Sequence, residues 1–512
     1  MPSVVTVERQ RSIDRISENV YSHFAEHLGR CIYGGIWVGE DDRVPTEDGI
    51  RTDTVGLLQD IDIPVLRWPG GCFADDYHWE DGVGPREERP TNRNLWWAQG
   101  RDHTYVETNE FGTDEFMRLC DMLDTEPFLA ANVGSATPEE ALNWVEYCNS
   151  DDETDLTQRR AENGSEEPYN VNYWGIGNEN WGCGGRYAPD EYADQYRHFA
   201  NYLNGFDDQI NPGDDLEFVA CGHITDEWNE AFFERLDDGM EFGPGTFLGM
   251  GSPYYLMDHF SVHRYYQAGD HVDFSDEEHY RIFARAQKVA DDIDNAAETI
   301  ESHVPGSEDV EIIVDEWGVW HPNATPQNGL EQENTVRDAL TAAGVLDMMH
   351  ERADVISMAN IAQTVNVLQC LVQTDEEDAW KTPTFHVFDL YQGHTGNTAV
   401  EVDIETDKKY FDDEDHDVPL VSASASESDD ELYVTVSNRS IDNTETVELD
   451  LGDSLGEASA AALFEDHGPR DYSTKENAEA FGETDIGVSV GDDGVYEVEV
   501  PPSSVVGVTV EK

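Results

Sequence analysis

Two stretches of the sequence each end an apolar run with a glutamate that lies among tryptophans. The first, Y-W-G-I-G-N-E-N-W-G-C-G-G from Tyr173 to Gly185, places Glu179 directly after a short strand pattern. The second, E-I-I-V-D-E-W-G-V-W from Glu311 to Trp320, places Glu316 in the same way. An aromatic, partly dry setting shifts a carboxyl group toward the behaviour of a general acid. Two such glutamates at the ends of two buried strands form the pair that hydrolysis of a glycosidic bond requires.

The elements that would position these glutamates are short apolar strands that alternate with amphipathic helical stretches from about residue 20 onward. Helices are predicted at Thr113–Leu123, Pro138–Cys148, Ala188–Leu203, Glu277–His303 and Asn334–Arg352. Eight strands joined by such crossover helices predict an α/β fold, a closed (β/α)₈ TIM barrel. The eight predicted strands are Tyr21–Glu26, Val65–Pro69, Phe128–Val133, Tyr173–Glu179, Phe218–Cys221, His259–His263, Glu311–Glu316 and Val355–Gln363.

The predicted carboxyl ends of these strands carry polar residues on seven of the eight strands. In a barrel of this type the active site is built at that end, so the polar residues predict a catalytic mouth. A single strand-end glutamate could simply form an ordinary salt bridge, so it is the whole set of polar strand ends that indicates an active site. Its members are Glu26, Arg67, Asn132, Asn178 with Glu179, His263, Glu316 and Gln363.

The alternation of strand and helix stops near residue 395, and period-two strands follow to the end of the sequence. Examples are Leu432–Val436, Val447–Leu451, Tyr496–Val500 and Val505–Val510, separated by glycine and proline turns. This pattern indicates an all-β C-terminal domain, an antiparallel sandwich. An isolated strand pattern at residues 3–8 needs a partner, so we expect the N-terminal strand to join that sandwich. The predicted division is therefore 1–18, 19–395 and 396–512.

The composition excludes several classes of partner. The 512 residues include 30 basic and 110 acidic side chains, which gives a formal net charge of −80. Such a chain would be repelled by nucleic acid and by an anionic membrane, so we expect neither as a partner. Because the acidic residues are spread along the whole chain, they favour a halophilic protein that works in concentrated salt. There the Debye length falls to about 3 Å at 1 M and self-repulsion is screened.

The seven cysteines form no C-x-x-C pair, so neither a disulfide framework nor a zinc ribbon is indicated. No secretion signal and no run of 18 apolar residues is visible, which favours a cytoplasmic protein. No H-E-x-x-H motif occurs, and Gly175-x-Gly177 lacks the third glycine of a nucleotide-binding loop. We therefore expect neither a metal nor another cofactor.

Seven ordered blocks of sequence resemble glycoside hydrolase family 51, the α-L-arabinofuranosidases. The resemblance runs along essentially the whole chain and implies a retaining exo-glycosidase that acts on arabinose-containing oligosaccharides, in a homo-oligomer such as a hexamer. The blocks are F-A-E-H-L-G-R (Phe24–Arg30), R-W-P-G-G-C-F (Arg67–Phe73) with Y-H-W-E-D-G-V-G-P (Tyr77–Pro85), V-E-T-N-E-F-G (Val106–Gly112), G-N-E-N-W-G (Gly177–Gly182), H-R-Y-Y (His263–Tyr266), D-E-W-G-V-W (Asp315–Trp320) and A-Q-T-V-N-V (Ala362–Val367).

Carried over to this sequence, the resemblance implies that Glu179 is the general acid/base and Glu316 the nucleophile. Asn178 would bind the sugar 2-hydroxyl, and Tyr265 would position the nucleophile. The remaining substrate contacts that it implies are Glu26, Arg67, Cys72, His263 and Gln363, with Trp97 and Trp320 as apolar walls.

Cys72 is a departure, because many family members have asparagine at that position and a thiol is a poor hydrogen-bond donor. Cys183 follows the acid/base loop, so the two cysteines could approach each other at the mouth. We expect a reduced pair.

Several alternatives stay open at this point. Arg67 could be a structural counter-ion, His263 a core histidine, and the tryptophans core residues. A β-xylosidase or an endo-β-glucanase could use the same pair of glutamates. Whether the substrate-binding site is a pocket or a groove depends on loops such as Arg86–Tyr105, whose shape the sequence does not fix. A non-catalytic sugar-binding protein would keep the aromatic pocket but would not need both carboxylates.

Overall fold

A computed structural model of the chain describes residues 2–41, 43–210, 216–240, 256–304, 310–406, 409–411, 417–452, 455–491 and 494–512. Eight parallel strands close into a barrel, as the sequence predicts. All eight predicted strands are present, with ends that differ by a few residues. They are β2 (Ser22–Phe24), β3 (Val65–Trp68), β4 (Glu126–Ala131), β5 (Tyr173–Ile176), β6 (Glu217–Cys221), β7 (His259–Tyr266), β8 (Glu311–Val319) and β9 (Ile356–Ala362), after an N-terminal β1 (Ser3–Arg15).

The barrel closes because β9 pairs with β2 and β5 pairs with β6. Its interior below the mouth is filled by one apolar side chain from each of five strands, so it is a packed core rather than a channel. These side chains are Val65, Phe128, Val219, Ile313 and Met358. This core supports the polar residues that follow at the strand ends.

Helices surround the barrel. Helix α3 shows why its boundary was predictable: Thr137 accepts a hydrogen bond from the Glu140 backbone at 3.2 Å, and Pro138 occupies the first turn. The larger helices are α1 (Thr52–Leu58), α2 (Thr113–Leu123), α3 (Pro138–Asn149), α4 (Asp155–Asn163), α5 (Pro189–Ile210), α6 (Asp226–Met240), α7 (Asp276–Ala286), α8 (Lys288–His303), α9 (Val336–His350) and α10 (Pro383–Tyr391).

The single helix predicted at Glu277–His303 is wrong in one respect, because the structure has two helices there. Gln287 separates α7 from α8, although its backbone keeps helical dihedrals of −58° and −22°. Among the described helices none is both long and apolar enough to cross a bilayer.

The C-terminal region is a ten-stranded sheet that folds back on itself around its own apolar core. The predicted C-terminal strands are all present. In spatial order the sheet runs β15 (Glu483–Ile486), β14 (Ala458–Leu463), β18 (Ser504–Glu511), β12 (Glu431–Asn438), β11 (Val421–Glu427), β10 (Thr398–Glu405), β1, β13 (Glu445–Asp450), β17 (Tyr496–Val500) and β16 (Val488–Val490).

The N-terminal strand joins this sheet, as expected. β1 pairs antiparallel with β10, where Val5 lies opposite Ile404, and parallel with β13, where Val5 lies opposite Leu449. Val5 and Val7 are buried in the core of the C-terminal sheet. The barrel is therefore inserted between the first strand of this sheet and the other nine.

Candidate active site

The polar strand ends meet at one mouth of the barrel, and an irregularity in β8 shapes their arrangement. Side chains of adjacent residues on a regular strand point to opposite faces. Between β7 and β8, however, Ser261 pairs with Ile313 whereas His263 pairs with Glu316, so β8 contains one extra residue. Such a bulge re-aims side chains. As a result Asp315 and Glu316 both reach the same arginine.

That arginine is Arg67 at the end of β3, and it is fully buried. Its Nη1 donates to Glu316 Oε1 at 2.9 Å, its Nη2 donates to Asn178 Oδ1 at 2.7 Å, and its Nε lies 3.3 Å from Asp315 Oδ1. Burial alone would lower the pKa of Arg67, but the two carboxylates raise it. Arg67 is thus a counter-ion that also holds Glu316 and Asn178 in place.

Glu316 is fixed from its other side by Tyr265, whose hydroxyl donates to Oε2 at 2.8 Å. Glu179 follows the end of β5, and its Oε1 lies 3.0 Å from His263 Nδ1. One carboxylate oxygen of Glu179 and one of Glu316 lie within 4.8 Å of each other. This separation fits two carboxyl groups that act on one anomeric centre in a retaining glycosidase, where they are about 5–5.5 Å apart.

The two glutamates differ in their access to solvent. The Glu316 side chain is 8% exposed, whereas that of Glu179 is 20% exposed. A general acid/base passes a proton to a leaving group and takes one from water, so it needs access to solvent. A nucleophile that is held by two hydrogen-bond donors does not need that access. The backbone of Glu179 has a φ of 41°, in the left-handed region that residues other than glycine rarely adopt.

His263 bridges the two glutamates. Its Nδ1 is also 3.8 Å from Glu316 Oε1, and its Nε2 is 3.6 Å from Asp315 Oδ2. Burial lowers the pKa of His263, but Glu316, Asp315 and Glu179 raise it to about 10. The histidine is therefore part of the charged site and not a core residue.

Glu26 forms a second polar centre with Trp97, which lies in the loop after β3. Its Oε1 accepts the Phe73 backbone N–H at 3.0 Å and Trp97 Nε1 at 2.9 Å, and its Oε2 accepts Gln363 Nε2 at 3.1 Å. Burial and the nearby Glu316 raise the pKa of Glu26 to about 8. A Cβ at Gly71 would meet this carboxylate at 2.8 Å, which explains the second glycine of the R-W-P-G-G motif.

The expectation of a reduced Cys72–Cys183 pair is wrong. The two residues form a disulfide across 111 residues of sequence, with their Cα atoms 5.4 Å apart. It joins the loop after β3 to the loop after β5, and the Cys183 sulfur lies 3.7 Å from Glu179 Oε2. Cys72 therefore offers the substrate no thiol. The other five cysteines are free and buried.

Asp75 is a buried residue of the site region that the sequence did not single out. Its Oδ1 accepts the backbone N–H groups of Val133 and Gly134 at 2.8 and 2.7 Å, and its Oδ2 accepts that of Asn178 at 2.8 Å. Burial raises its pKa to about 7, against these backbone hydrogen bonds. Asp75 connects three strand ends and so supports the backbone that carries Glu179. Because the chain has 110 acidic residues, the residue type alone could not distinguish Asp75 from the others.

The remaining predicted residues divide between the mouth and the loops. Trp320 packs edge-on against Tyr265 with 5.4 Å between the ring centroids, and the Tyr265 hydroxyl donates to Glu316. Trp181 instead donates to the Gly222 carbonyl and packs against His223. Asn132 is occupied by its own loop, because it donates to the Tyr77 carbonyl and to Ser135.

Two triads in the described part of the chain bring possible metal ligands within 4.8 Å of one another. In the triad of Cys72, Glu179 and Cys183, both sulfurs are in the disulfide and offer no thiolate. In the triad of Glu179, His263 and Glu316, the imidazole Nδ1 already lies 3.0 Å from Glu179 Oε1 and 3.8 Å from Glu316 Oε1.

Comparisons with known proteins agree with this geometry. Residues 57–280 match the family model "Alpha-L-arabinofuranosidase 1 domain", and residues 315–504 match "Alpha-L-arabinofuranosidase C-terminal domain". The chain is 35% identical to an "Intracellular exo-alpha-L-arabinofuranosidase" of Bacteroides ovatus, over 98% of this chain and 95% of that protein. The chain belongs to the α-L-arabinofuranosidases of glycoside hydrolase family 51.

Solved structures place the whole chain within this family. The GH51 arabinofuranosidase of Xanthomonas axonopodis pv. citri superposes with a TM-score of 0.88 at 31% identity and 99% coverage of both chains. The α-L-arabinofuranosidase of Thermotoga maritima, solved as an arabinose complex, superposes with a TM-score of 0.84 at 28% identity, with both chains fully covered. The match therefore includes the barrel and the C-terminal sheet.

The charged state of His263 predicts a pH dependence of stability in this family 51 chain. Its folded pKa of about 10 lies above the ordinary value of 6.5. The stabilisation is therefore complete below pH 6.5 and is lost as the pH rises through 10. We expect the stability advantage of the wild type over His263→Gln to shrink across this window, by at most about 1.4 kcal/mol per pH unit. Urea denaturation of both proteins at several pH values between 6.5 and 10 measures this stability advantage. A difference in unfolding free energy that stays constant over this range would contradict the prediction.

Proposed function

We propose that this protein is a retaining exo-α-L-arabinofuranosidase that removes terminal non-reducing arabinofuranosyl residues from arabino-oligosaccharides or arabinoxylan fragments. The observation that carries the proposal is the pair of glutamate carboxylates within 4.8 Å at the barrel mouth of a family 51 chain. The name of the Bacteroides ovatus relative, which includes "exo", supports the mode of attack.

In the first step, the Glu316 carboxylate attacks the anomeric carbon while the bond to the leaving oxygen breaks. Glu179 donates its proton to that oxygen, and a covalent glycosyl-enzyme forms. Arg67 and Tyr265 hold Glu316 at 2.9 and 2.8 Å, so the nucleophile is oriented before the substrate arrives. Its attack therefore requires little rearrangement of the site.

In the second step, Glu179 takes a proton from water, and the water oxygen attacks the anomeric carbon. The bond to Glu316 breaks, arabinose leaves with its original anomeric configuration, and both carboxyl groups return to their starting states. Charged His263, 3.0 Å from Glu179, stabilises the carboxylate form that Glu179 takes after it has donated its proton.

The furanose ring is proposed to lie over these groups and to contact the polar residues around them. Asn178, whose amide oxygen is held by Arg67, presents its amide N–H to the sugar 2-hydroxyl. Glu26 and Gln363 contact further hydroxyl groups, and Trp97 and Trp320 form the apolar walls. Cys72 contributes only the apolar face of its disulfide.

Product stereochemistry tests the activity. We expect the wild type to hydrolyse an aryl α-L-arabinofuranoside, with α-arabinofuranose as the first product seen by proton NMR. An aryl β-D-xylopyranoside and a soluble β-glucan serve as comparison substrates. Preferential turnover of either of these, or a β-configured first product, would overturn the proposal.

We also propose that the protein is halophilic and cytoplasmic. We further propose that it forms a homo-oligomer, for example a hexamer. Residues 19–395 would form the catalytic unit, with 1–18 and 396–512 as the accessory sandwich. Light scattering in concentrated KCl tests the assembly. A monomer at working concentrations would contradict the oligomer.

The acidic surface predicts a salt requirement. Helix α8 illustrates the cause, because Asp291, Asp294, Glu298 and Glu301 recur at intervals of three and four residues and are exposed. Each pair of like charges at this spacing costs about 0.2–0.5 kcal/mol of helix stability when the charges are unscreened. We expect activity and circular dichroism to be retained at about 3 M KCl and lost at about 0.1 M, where the Debye length is about 10 Å. Full activity in dilute buffer would contradict the proposal.

A further inference from the structure

The V-E-T-N-E-F-G segment contains a buried glutamate that takes no part in the proposed chemistry. Glu107 is 2% exposed and lies on a small hairpin in the loop after β3, where it pairs with Asn92. A carboxylate in such a place needs a full set of hydrogen-bond partners. The identity of those partners indicates what the residue does.

Four donors from three parts of the chain converge on this carboxylate. Its Oε1 accepts the Tyr33 hydroxyl and the Asn109 backbone N–H, the latter at 2.7 Å. Its Oε2 accepts His27 Nδ1 and Gln99 Nε2, both at 2.9 Å. Burial would raise the pKa of Glu107, but His27, Tyr33 and Gln99 lower it, so the group is ionised.

One path leads from Glu107 to Glu26 through an aromatic stack. His27, the residue after Glu26, stacks on Phe73 with 4.7 Å between ring centroids. The backbone N–H of Phe73 donates to Glu26 Oε1 at 3.0 Å. The orientation of the His27 ring, which Glu107 fixes through Nδ1, therefore sets the position of this donor.

A second path leads through the loop that carries the pocket tryptophan. The His27 carbonyl accepts Asn94 Nδ2 at 2.9 Å, and Asn94 Oδ1 accepts the Trp97 backbone N–H at 2.9 Å. Trp97 Nε1 then donates to Glu26 Oε1 at 2.9 Å. Both donors to this oxygen thus depend on His27, and His27 depends on Glu107.

We propose that Glu107 is a positioning residue that sets the Glu26 carboxylate for the arabinofuranosyl ring. The inference rests on the proposed function, because Glu26 is taken to bind that sugar. Removal of the Glu107 carboxylate deprives four donors of this acceptor, three of them on buried residues, and we expect the loops that carry them to shift. A misplacement of about 1 Å in such a site costs on the order of 100-fold in rate.

A double-mutant cycle on an aryl α-L-arabinofuranoside tests this dependence, with Glu107→Ala made in the wild type and in Glu26→Ala. We expect Glu107→Ala to lower kcat/KM about 100-fold in the wild type. In Glu26→Ala we expect a loss of less than about fivefold, because the carboxylate that Glu107 would position is already absent. Glu110→Gln is the matched control, since Glu110 is an exposed glutamate of the same segment. We expect its kcat/KM to match the wild type.

Equal losses in the two backgrounds would overturn the inference, because a merely structural glutamate acts independently of Glu26. If Glu107→Ala does not fold, Glu107→Gln takes its place in the cycle. We then expect about a tenfold loss that disappears in Glu26→Ala, and equal losses would again overturn the inference. An inactive wild type would overturn the proposed function itself, whereas an active wild type with additive losses overturns only the role of Glu107.

Discussion

Glu316→Ala is expected to lower kcat on the order of 10⁵-fold, because it removes the proposed nucleophile, the group that would form the covalent intermediate. The change also leaves Arg67 and Tyr265 without the acceptor that each now has at 2.9 and 2.8 Å. Added azide should restore turnover, since the small anion fits where the carboxylate was. It would attack the anomeric carbon directly and yield a β-arabinofuranosyl azide.

The matched control for this variant is Glu311→Ala, which removes an exposed glutamate at the opposite end of the same strand. We expect its kcat to equal that of the wild type. An α-configured azide, or activity of Glu316→Ala close to that of the control, would show that Glu316 is not the nucleophile.

Glu179→Ala should lower kcat for an arabino-oligosaccharide about 10³-fold, the range of general acid–base catalysis. The loss should be much smaller for the first step on an aryl arabinofuranoside, because an aryl leaving group departs with little need of a proton. Azide should accelerate this variant as well, but by attack on the glycosyl-enzyme. The azide product then has the α configuration, opposite to that of the Glu316→Ala product.

Glu230→Ala, at an exposed position on α6, is a suitable control for general effects of acid removal in a highly acidic chain. The assignment of Glu179 would be contradicted by equal losses on the aryl and oligosaccharide substrates. It would also be contradicted by a β-azide from this variant.

The strands that carry Glu179 and Glu316 were predictable because the information is local. An apolar run such as Ile312–Val314 signals a buried strand by itself, and the polar residues that follow the run are adjacent to it in the sequence. The closed barrel then brings those ends together by geometry alone. The same reasoning predicted the participation of β1 in the C-terminal sheet, since a lone strand must pair somewhere.

The details that were not predictable depend on contacts between distant parts of the chain. The extra residue in β8, which lets Asp315 reach Arg67, arises from pairing with β7 and has no signature in the sequence. The disulfide depends on the approach of two loops 111 residues apart. Asp75 and Glu107 are acidic residues among many, and only their burial and their donors distinguish them.

The insertion of the barrel into the C-terminal sheet has a consequence for synthesis on the ribosome. β1 is made first, yet both of its neighbours, β10 and β13, lie about 400 residues later in the chain. Its valines therefore remain without their final partners until most of the polypeptide has emerged, while the barrel residues can already fold. Because an unpaired apolar strand is prone to misassociation, ribosome-associated chaperones should bind this segment during translation.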